Sequence, residues 1–200
     1  MTDFELNINS DDELLIAAFK AGSQNAFNLI VRKYQKRIYM LIRKMVIDHD
    51  DADDITQEVF IKLYSSLNSF RGDSKFFTYL YKIAVNYSIN HLNRKNKLAK
   101  RNSEFDETNE FHSFDSINDF SENADEKNRS EILKEAIETL PEQQRAVFIM
   151  RYYDNLSYEE ISKILEKSVG GMKANYFHAL KKIGTCLKKN KLFENVLHKI

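Results

Sequence analysis

From Gln24 to Val46 the large apolar side chains stand at Phe27, Ile30, Val31, Tyr34, Ile38, Leu41, Ile42 and Met45. Steps of three and four, sustained over about six turns, gather these side chains onto one stripe only if the backbone is an α-helix, and such a stripe must be buried. This segment alone commits the chain to helix packing. One proline and five glycines in 200 residues leave few places where a helix must stop. Similar spacing returns at Ile55, Val59, Leu63 and Leu67, and again at Ile132, Leu133, Ala136, Ile137 and Leu140. Ser10-Asp-Asp-Glu13 has the pattern of a capping box ahead of Leu14–Phe19, and Ser157-Tyr-Glu-Glu160 has it ahead of Ile161, Ile164 and Leu165. Asp48-His-Asp-Asp51 is a charged break and a helix start. Phe70-Arg-Gly-Asp-Ser74 reads as a loop in which Gly72 is free to take unusual dihedrals. A third long helix is predicted from about Lys75 to about Lys95. Pro141 suits the first turn of a helix that closes at Asn155-Leu-Ser157.

Equal numbers of basic and acidic residues, 30 each, conceal a segregation of charge. Residues 1–100 carry 15 basic and 12 acidic side chains, residues 101–130 carry 3 and 9, and residues 131–200 carry 12 and 9. Two mildly basic ends therefore flank an acidic middle, and clustering matters more to a nucleic-acid partner than the total. The acids of residues 99–129 are mixed with Asn and Ser, and Phe105, Phe111, Phe114, Ile117 and Phe120 show no period. That stretch is expected to be an extended acidic linker. The predicted fold is all-α, with two helical domains, 10–98 and 130–190, joined by the flexible linker 99–129.

Cys186, the only cysteine, allows no intrachain disulfide and is expected to pack in a core. The five histidines show no ligand spacing, and no nucleophile–base pair stands out, so neither an enzyme nor a cofactor is expected. The opening Met1-Thr-Asp-Phe-Glu5 lacks a basic segment followed by an apolar run, and no run approaches membrane-spanning length. A cytoplasmic protein without membrane insertion is the expectation.

Two features point to DNA. Tyr158–Leu165 and about Val169–Lys182, joined through the tight turn Ser168-Val-Gly-Gly171, form a helix-turn-helix pattern in the second domain. Val169, Met172, Tyr176, Ala179 and Ile183 share the inward face of the second helix. Lys173, Ala174, Phe177, His178 and Lys181 face outward, where lysine can reach phosphates or guanine edges and Ala and Phe can meet thymine methyls. Free N–H groups of the turn, with the helix dipole, favour a phosphate. A plain helical hairpin with solvated lysines carries the same pattern. In the first domain, Lys75, Tyr79, Lys82, Asn86, Asn90, Asn93 and Lys97 fall on one narrow helical stripe that contains no acid. Amides offer donor and acceptor pairs to base edges, lysines neutralise phosphates and a tyrosine offers a stacking plane. Upstream, Asp50, Asp53, Asp54 and Gln57 form a separate acidic stripe, which on charge alone equally suits a solvated face with acids at a helix start.

Leu140-Pro-Glu-Gln-Gln-Arg-Ala-Val-Phe148, Leu156-Ser-Tyr-Glu-Glu-Ile161 and Ser168-Val-Gly-Gly-Met-Lys173 resemble the C-terminal domain of extracytoplasmic-function sigma factors. Asp51-Ala-Asp-Asp-Ile-Thr-Gln-Glu-Val-Phe60 and Phe70–Asn86 resemble that family's N-terminal motifs, in the right order and at family spacing. The resemblance spans about residues 10–190. It implies a non-enzymatic subunit that binds core RNA polymerase and promoter DNA, with an anti-sigma factor as a further partner. Asp50, Asp53, Asp54, Gln57 and Glu58 would dock the coiled coil of the polymerase largest subunit. Arg71, Lys75, Tyr79, Lys82, Asn86, Asn90 and Arg94 would open and read the −10 element, with the Phe70–Lys75 loop as the wall of a base pocket. Ser168, Lys173, Ala174, Phe177, His178 and Lys181 would serve the −35 element. The linker would thread the RNA-exit path. Many members carry Trp where Tyr79 stands, and Arg where Asn175 and His178 stand. The alternatives are a helix-turn-helix regulator acting without core polymerase, and a helical adaptor or decoy that never touches DNA.

Overall fold

The structure is a computed structural model that describes residues 6–102 and 124–188. Its elements are α1 (Asp12–Lys20), α2 (Gln24–Val46), α3 (His49–Ser66), a 3-10 turn (Leu67–Ser69), α4 (Phe76–Asn102), α5 (Ala124–Glu138), α6 (Glu142–Tyr152), α7 (Tyr158–Leu165) and α8 (Val169–Lys188). Among the described residues there is no strand, as an all-α fold requires. Two compact units divide the chain, with the boundary after the first stretch at Leu92/Asn93.

In the first unit, α2 buries the predicted stripe: Ile30, Tyr34, Ile38, Leu41, Ile42 and Met45 all lie in the core. Each such side chain removed from water contributes about 1.5–3 kcal/mol. The helix starts at Ser23, whose hydroxyl accepts from the Ala26 amide, and stops at Ile47, which takes φ 74°. That region is unfavourable for a β-branched residue, at a cost of about 1–3 kcal/mol. Burial of the Ile47 side chain offsets it. The bend delivers Asp48 to the N-cap of α3, where its carboxylate accepts from Asp51 N at 2.9 Å. Ile55, Val59, Leu63 and Leu67 then turn inward as predicted.

α1 is tied down at both ends. Asp12 receives Lys33 Nζ at 2.8 Å and the Tyr34 hydroxyl at 2.7 Å. Burial, then the bond to Asp12, lifts the Tyr34 pKa far above its ordinary value, so the phenol stays a donor. At the other end Phe19, Phe27 and Tyr64 meet pairwise, with centroids 4.9–5.5 Å apart, and so join α1, α2 and α3. The capping box expected at Ser10–Glu13 does not close. Asp11 is the N-cap and makes no side-chain cap bond, while the Ser10 hydroxyl accepts from Asn7 N at 3.0 Å.

α4 packs Leu80, Tyr81, Ala84 and Val85 into the core. The Arg37 guanidinium lies 4.3 Å from the Phe77 ring centroid and donates to the Tyr81 hydroxyl at 2.9 Å. The helix runs past the predicted Lys95 to Asn102, and α5 begins at Ala124. Both ends of the stretch assigned to a linker, 99–129, are therefore helical. The rest of that stretch lies outside the described residues.

In the second unit, Ala136, Ile137, Leu140, Phe148, Ala179 and Ile183 form the core between α5, α6 and α8. Cys186 packs against it, as expected. Pro141 is the N-cap of α6 rather than a residue of its first turn; its φ of −55° suits helix entry. Arg145 is buried, and its guanidinium donates to the carbonyls of Glu138 and Leu140, which the end of α5 would otherwise leave unsatisfied. Burial lowers its pKa, opposed by Glu138 and Glu142. Arg145→Ala should strand those carbonyls and cost this unit about 2–4 kcal/mol. A urea titration followed by far-ultraviolet circular dichroism should show a lower midpoint for one transition. An unchanged midpoint would mean that the arginine does not hold the α5–α6 corner.

Candidate polymerase and nucleic-acid interfaces

α3 presents two faces because its apolar and acidic residues are out of phase. Ile55, Val59 and Leu63 are buried, while Asp50, Asp53, Asp54, Gln57 and Glu58 are exposed. Asp50 sits in the first turn, where the helix dipole favours an acid. The other carboxylates are not equivalent. Asp51, half-buried, pairs with His91 Nε2 of α4 at 3.0 Å and so belongs to the packing. Asp53 lies 3.6 Å from His49 Nε2, both well exposed, and His49 Nδ1 meets the Tyr39 hydroxyl at 2.7 Å. Ile61 extends the same face and is 69% exposed.

α4 carries the second stripe. Lys75, just ahead of the helix, and Asn86 and Asn90 are exposed, while Tyr79 and Lys82 are half-buried. Arg94 is exposed further along the same helix, beyond the Leu92/Asn93 boundary. The loop before α4 turns at Gly72, with φ 82°, and exposes Arg71. The loop's first residue is held from three sides: Phe70 N donates to Leu67 O at 3.2 Å, its carbonyl accepts from Lys20 Nζ, and its ring packs on Phe76 and Tyr79. Tyr79 is therefore not a bare plane. Its ring meets Phe70 at 4.9 Å between centroids, and its hydroxyl donates to Ser66 Oγ at 2.7 Å. Lys20 and Ser66 escape sequence reasoning, since neither lies in a recognisable pattern with the loop.

In the second unit the Ser157–Glu160 capping box closes: Ser157 N donates to Glu160 Oε2 at 2.8 Å, and Glu160 N to Ser157 Oγ at 3.2 Å. The turn between α7 and α8 begins two residues earlier than predicted, and α8 starts at Val169, where the second helix was expected. The turn bends at Glu166, with φ 53°, and Val169–Gly171 already belong to α8. Ser168 caps α8 by accepting from Gly171 N at 3.1 Å, so that N–H is not left for a phosphate. A Cβ on Gly171 would stand 3.2 Å from that oxygen. Met172, Ala179 and Ile183 are buried. Burial also raises the Tyr176 pKa. Ser168, Lys173, Ala174, Phe177, His178 and Lys181 are all exposed, Phe177 by 64%. Lys173 Nζ lies 5.9 Å from the Tyr158 ring centroid, so a residue of α7 supports this exposed lysine.

This arrangement pairs one unit bearing separate acidic and asparagine–lysine faces with a second unit containing a helix-turn-helix. Residues 30–98 match the Sigma-70 region 2 family and residues 130–183 the Sigma-70, region 4 family. The chain belongs to the extracytoplasmic-function (ECF) sigma factors of RNA polymerase. It is 38% identical to the ECF RNA polymerase sigma-E factor of Escherichia coli K12 over 84% of this chain and 90% of that one. It is 35% identical to the RNA polymerase sigma-H factor of Pseudomonas aeruginosa over 88% of this chain and 94% of that one. The fold resembles that of CnrH, solved in complex with the cytosolic domain of CnrY (TM-score 0.65, 21% identity, 90% of this chain and 99% of that one). It also resembles that of the sigma factor RpoE from Bartonella quintana, solved with the anti-sigma factor NepR (TM-score 0.61, 19% identity, 82% of this chain and 98% of that one). The protein is accordingly a non-enzymatic subunit that binds core RNA polymerase and directs promoter recognition and transcription initiation. A regulator acting without core polymerase is set aside. Among the described residues no helix is long and apolar enough to cross a membrane.

Proposed function

We propose a division of labour among the three exposed faces. Asp50, Asp53, Asp54, Gln57 and Glu58 dock core polymerase. Arg71, Lys75, Tyr79, Lys82, Asn86, Asn90 and Arg94 take up the opened −10 strand. Ser168, Lys173, Ala174, Phe177, His178 and Lys181 hold the −35 duplex. The observation that carries this reading is the segregation of charge between neighbouring helices. The exposed face of α3 is acidic, whereas the Lys75–Asn90 stripe contains no acid. The first would repel DNA and complement a basic protein surface, and the second would do the reverse. The protein works in the cytoplasm, where its polymerase is. The solved complex of RpoE with the anti-sigma factor NepR supports an anti-sigma factor as a further partner.

Reconstituted holoenzyme on a duplex promoter tests the −35 assignment. If Lys173 meets a phosphate, Lys173→Ala should weaken binding on every promoter and lower the salt slope by about one unit. If it reads a base, the loss should be about 1–3 kcal/mol and confined to certain −35 sequences. Wild-type affinity and salt slope across a promoter set would remove Lys173 from the interface.

A further inference from the structure

We propose that Ser66, at the end of α3, is a positioning residue for promoter melting: its hydroxyl sets the orientation of the Tyr79 ring on α4. The inference rests on the reading of Tyr79 as a plane on which a base stacks.

The geometry is a directed chain of hydroxyls. The Tyr79 hydroxyl donates to Ser66 Oγ at 2.7 Å, and Ser66 Oγ lies 2.7 Å from the carbonyl oxygen of Lys62 and 3.4 Å from that of Leu63. A serine hydroxyl has one proton and two lone pairs. The α3 carbonyls can only accept, so the serine proton goes to them, and a lone pair of Oγ is left to receive the phenol proton. The order is therefore Tyr79 O–H to Ser66 Oγ–H to Lys62 O, and each bond polarises the next. Tyr79 is anchored at its hydroxyl edge by this chain and on its side by Phe70, with centroids 4.9 Å apart and planes at 39°. A base can then stack only on the side that Phe70 leaves. α3 carries the acidic docking face near its start and Ser66 at its end. The ring is thus referenced to the helix that polymerase would hold, which matters because a stacking plane misplaced by about 1 Å loses much of its effect.

Ser65 provides an internal control. Its hydroxyl makes the same kind of bond, to Lys62 O at 2.9 Å, but on the exposed side of the helix. Any effect of removing a serine hydroxyl from the last turn of α3 would appear in Ser65→Ala as well.

The test is open-complex formation by reconstituted holoenzyme on a duplex promoter, read by permanganate reactivity, with thermal melts of the free full-length variants alongside. Ser66→Ala and Tyr79→Phe should each lower open-complex formation about three- to tenfold. The double variant should be no worse than either single one, and Ser65→Ala should match wild type. Independent, multiplying losses from Ser66→Ala and Tyr79→Phe would overturn the proposal, as would an equal loss in Ser65→Ala. If Tyr79→Ala is impaired while Ser66→Ala and Tyr79→Phe behave as wild type, the positioning role fails and the stacking role survives. If Tyr79→Ala itself opens DNA normally, the stacking reading fails and takes the proposal with it.

Discussion

Reversing the charge of Asp53 and Asp54 together should weaken binding to core polymerase by about 100-fold, roughly 3 kcal/mol, while the helix content stays intact. Both carboxylates are exposed. The contact of Asp53 with His49, between side chains 51% and 65% exposed, contributes little to folding. Neither residue lies in the first turn of α3, where a lysine would oppose the helix dipole most strongly. The variant with Lys at both positions should therefore fold normally and would meet a basic partner surface with two negative charges lost and two positive charges gained. Wild-type affinity should fall as salt rises, because exposed charges are screened within about 8–10 Å at physiological ionic strength. Asp51→Asn supplies the contrast. Asp51 faces His91 inside the unit, so that variant should alter stability and leave docking nearly unchanged. A fluorescence-anisotropy titration of labelled protein with core polymerase at two salt concentrations reads both effects. Equal affinity of the double-lysine variant and wild type would remove the stripe from the docking surface.

How much of this could be read from the sequence depended on whether local chemistry or distant partners decided the outcome. α2 was legible because eight apolar positions repeat one spacing, and the helix found, Gln24–Val46, has the predicted ends. The outward and inward faces of α8 were legible for the same reason. The two capping patterns separate the cases. Ser157–Glu160 closes because both partners lie within the motif. Ser10–Glu13 does not, because Asn7 takes the serine hydroxyl and Lys33, 23 residues away, takes its carbonyl. The turn before α8 was placed late because the two glycines there read as a bend. They instead lie in the first turn of the helix, where Gly171 N bonds to Ser168 Oγ and a side chain would crowd that cap. Ile47 gave no sign of its left-handed conformation, which burial rather than residue type sustains. The same limit applies at the candidate site. Helical spacing placed Tyr79, Asn86 and Asn90 on one stripe, but the partners of Tyr79 come from α3 and from the loop, and no spacing rule connects Ser66 with Tyr79.

On duplex promoters Tyr79→Ala should reduce open-complex formation by about 10- to 100-fold, and Asn86→Ala by a comparable factor. Extruding a base from the stack costs a few kcal/mol. Stacking on an aromatic ring returns about 1–3 kcal/mol, and a well-placed amide pairing with a base edge about as much. In that role each residue would carry a large share of what offsets the opening. Asn86 is exposed on α4 and can pair with a base edge only once that edge leaves the stack. Tyr79 can stack only on an exposed base face. The two losses should differ in how they are rescued. A template opened beforehand by mismatches around the start site no longer needs melting, so it should restore much of the activity of Tyr79→Ala. Asn86→Ala should recover less, because recognition of the base persists in the open state. Tyr79→Ala also removes the contact with Phe70, so Lys20→Ala, which frees the Phe70 carbonyl without touching the ring, serves as the comparison for simple loosening of the loop. Permanganate footprinting with transcription on matched and pre-melted templates measures all of these. Should both alanine variants open duplex promoters as wild type does, the stripe on α4 is an ordinary solvated face.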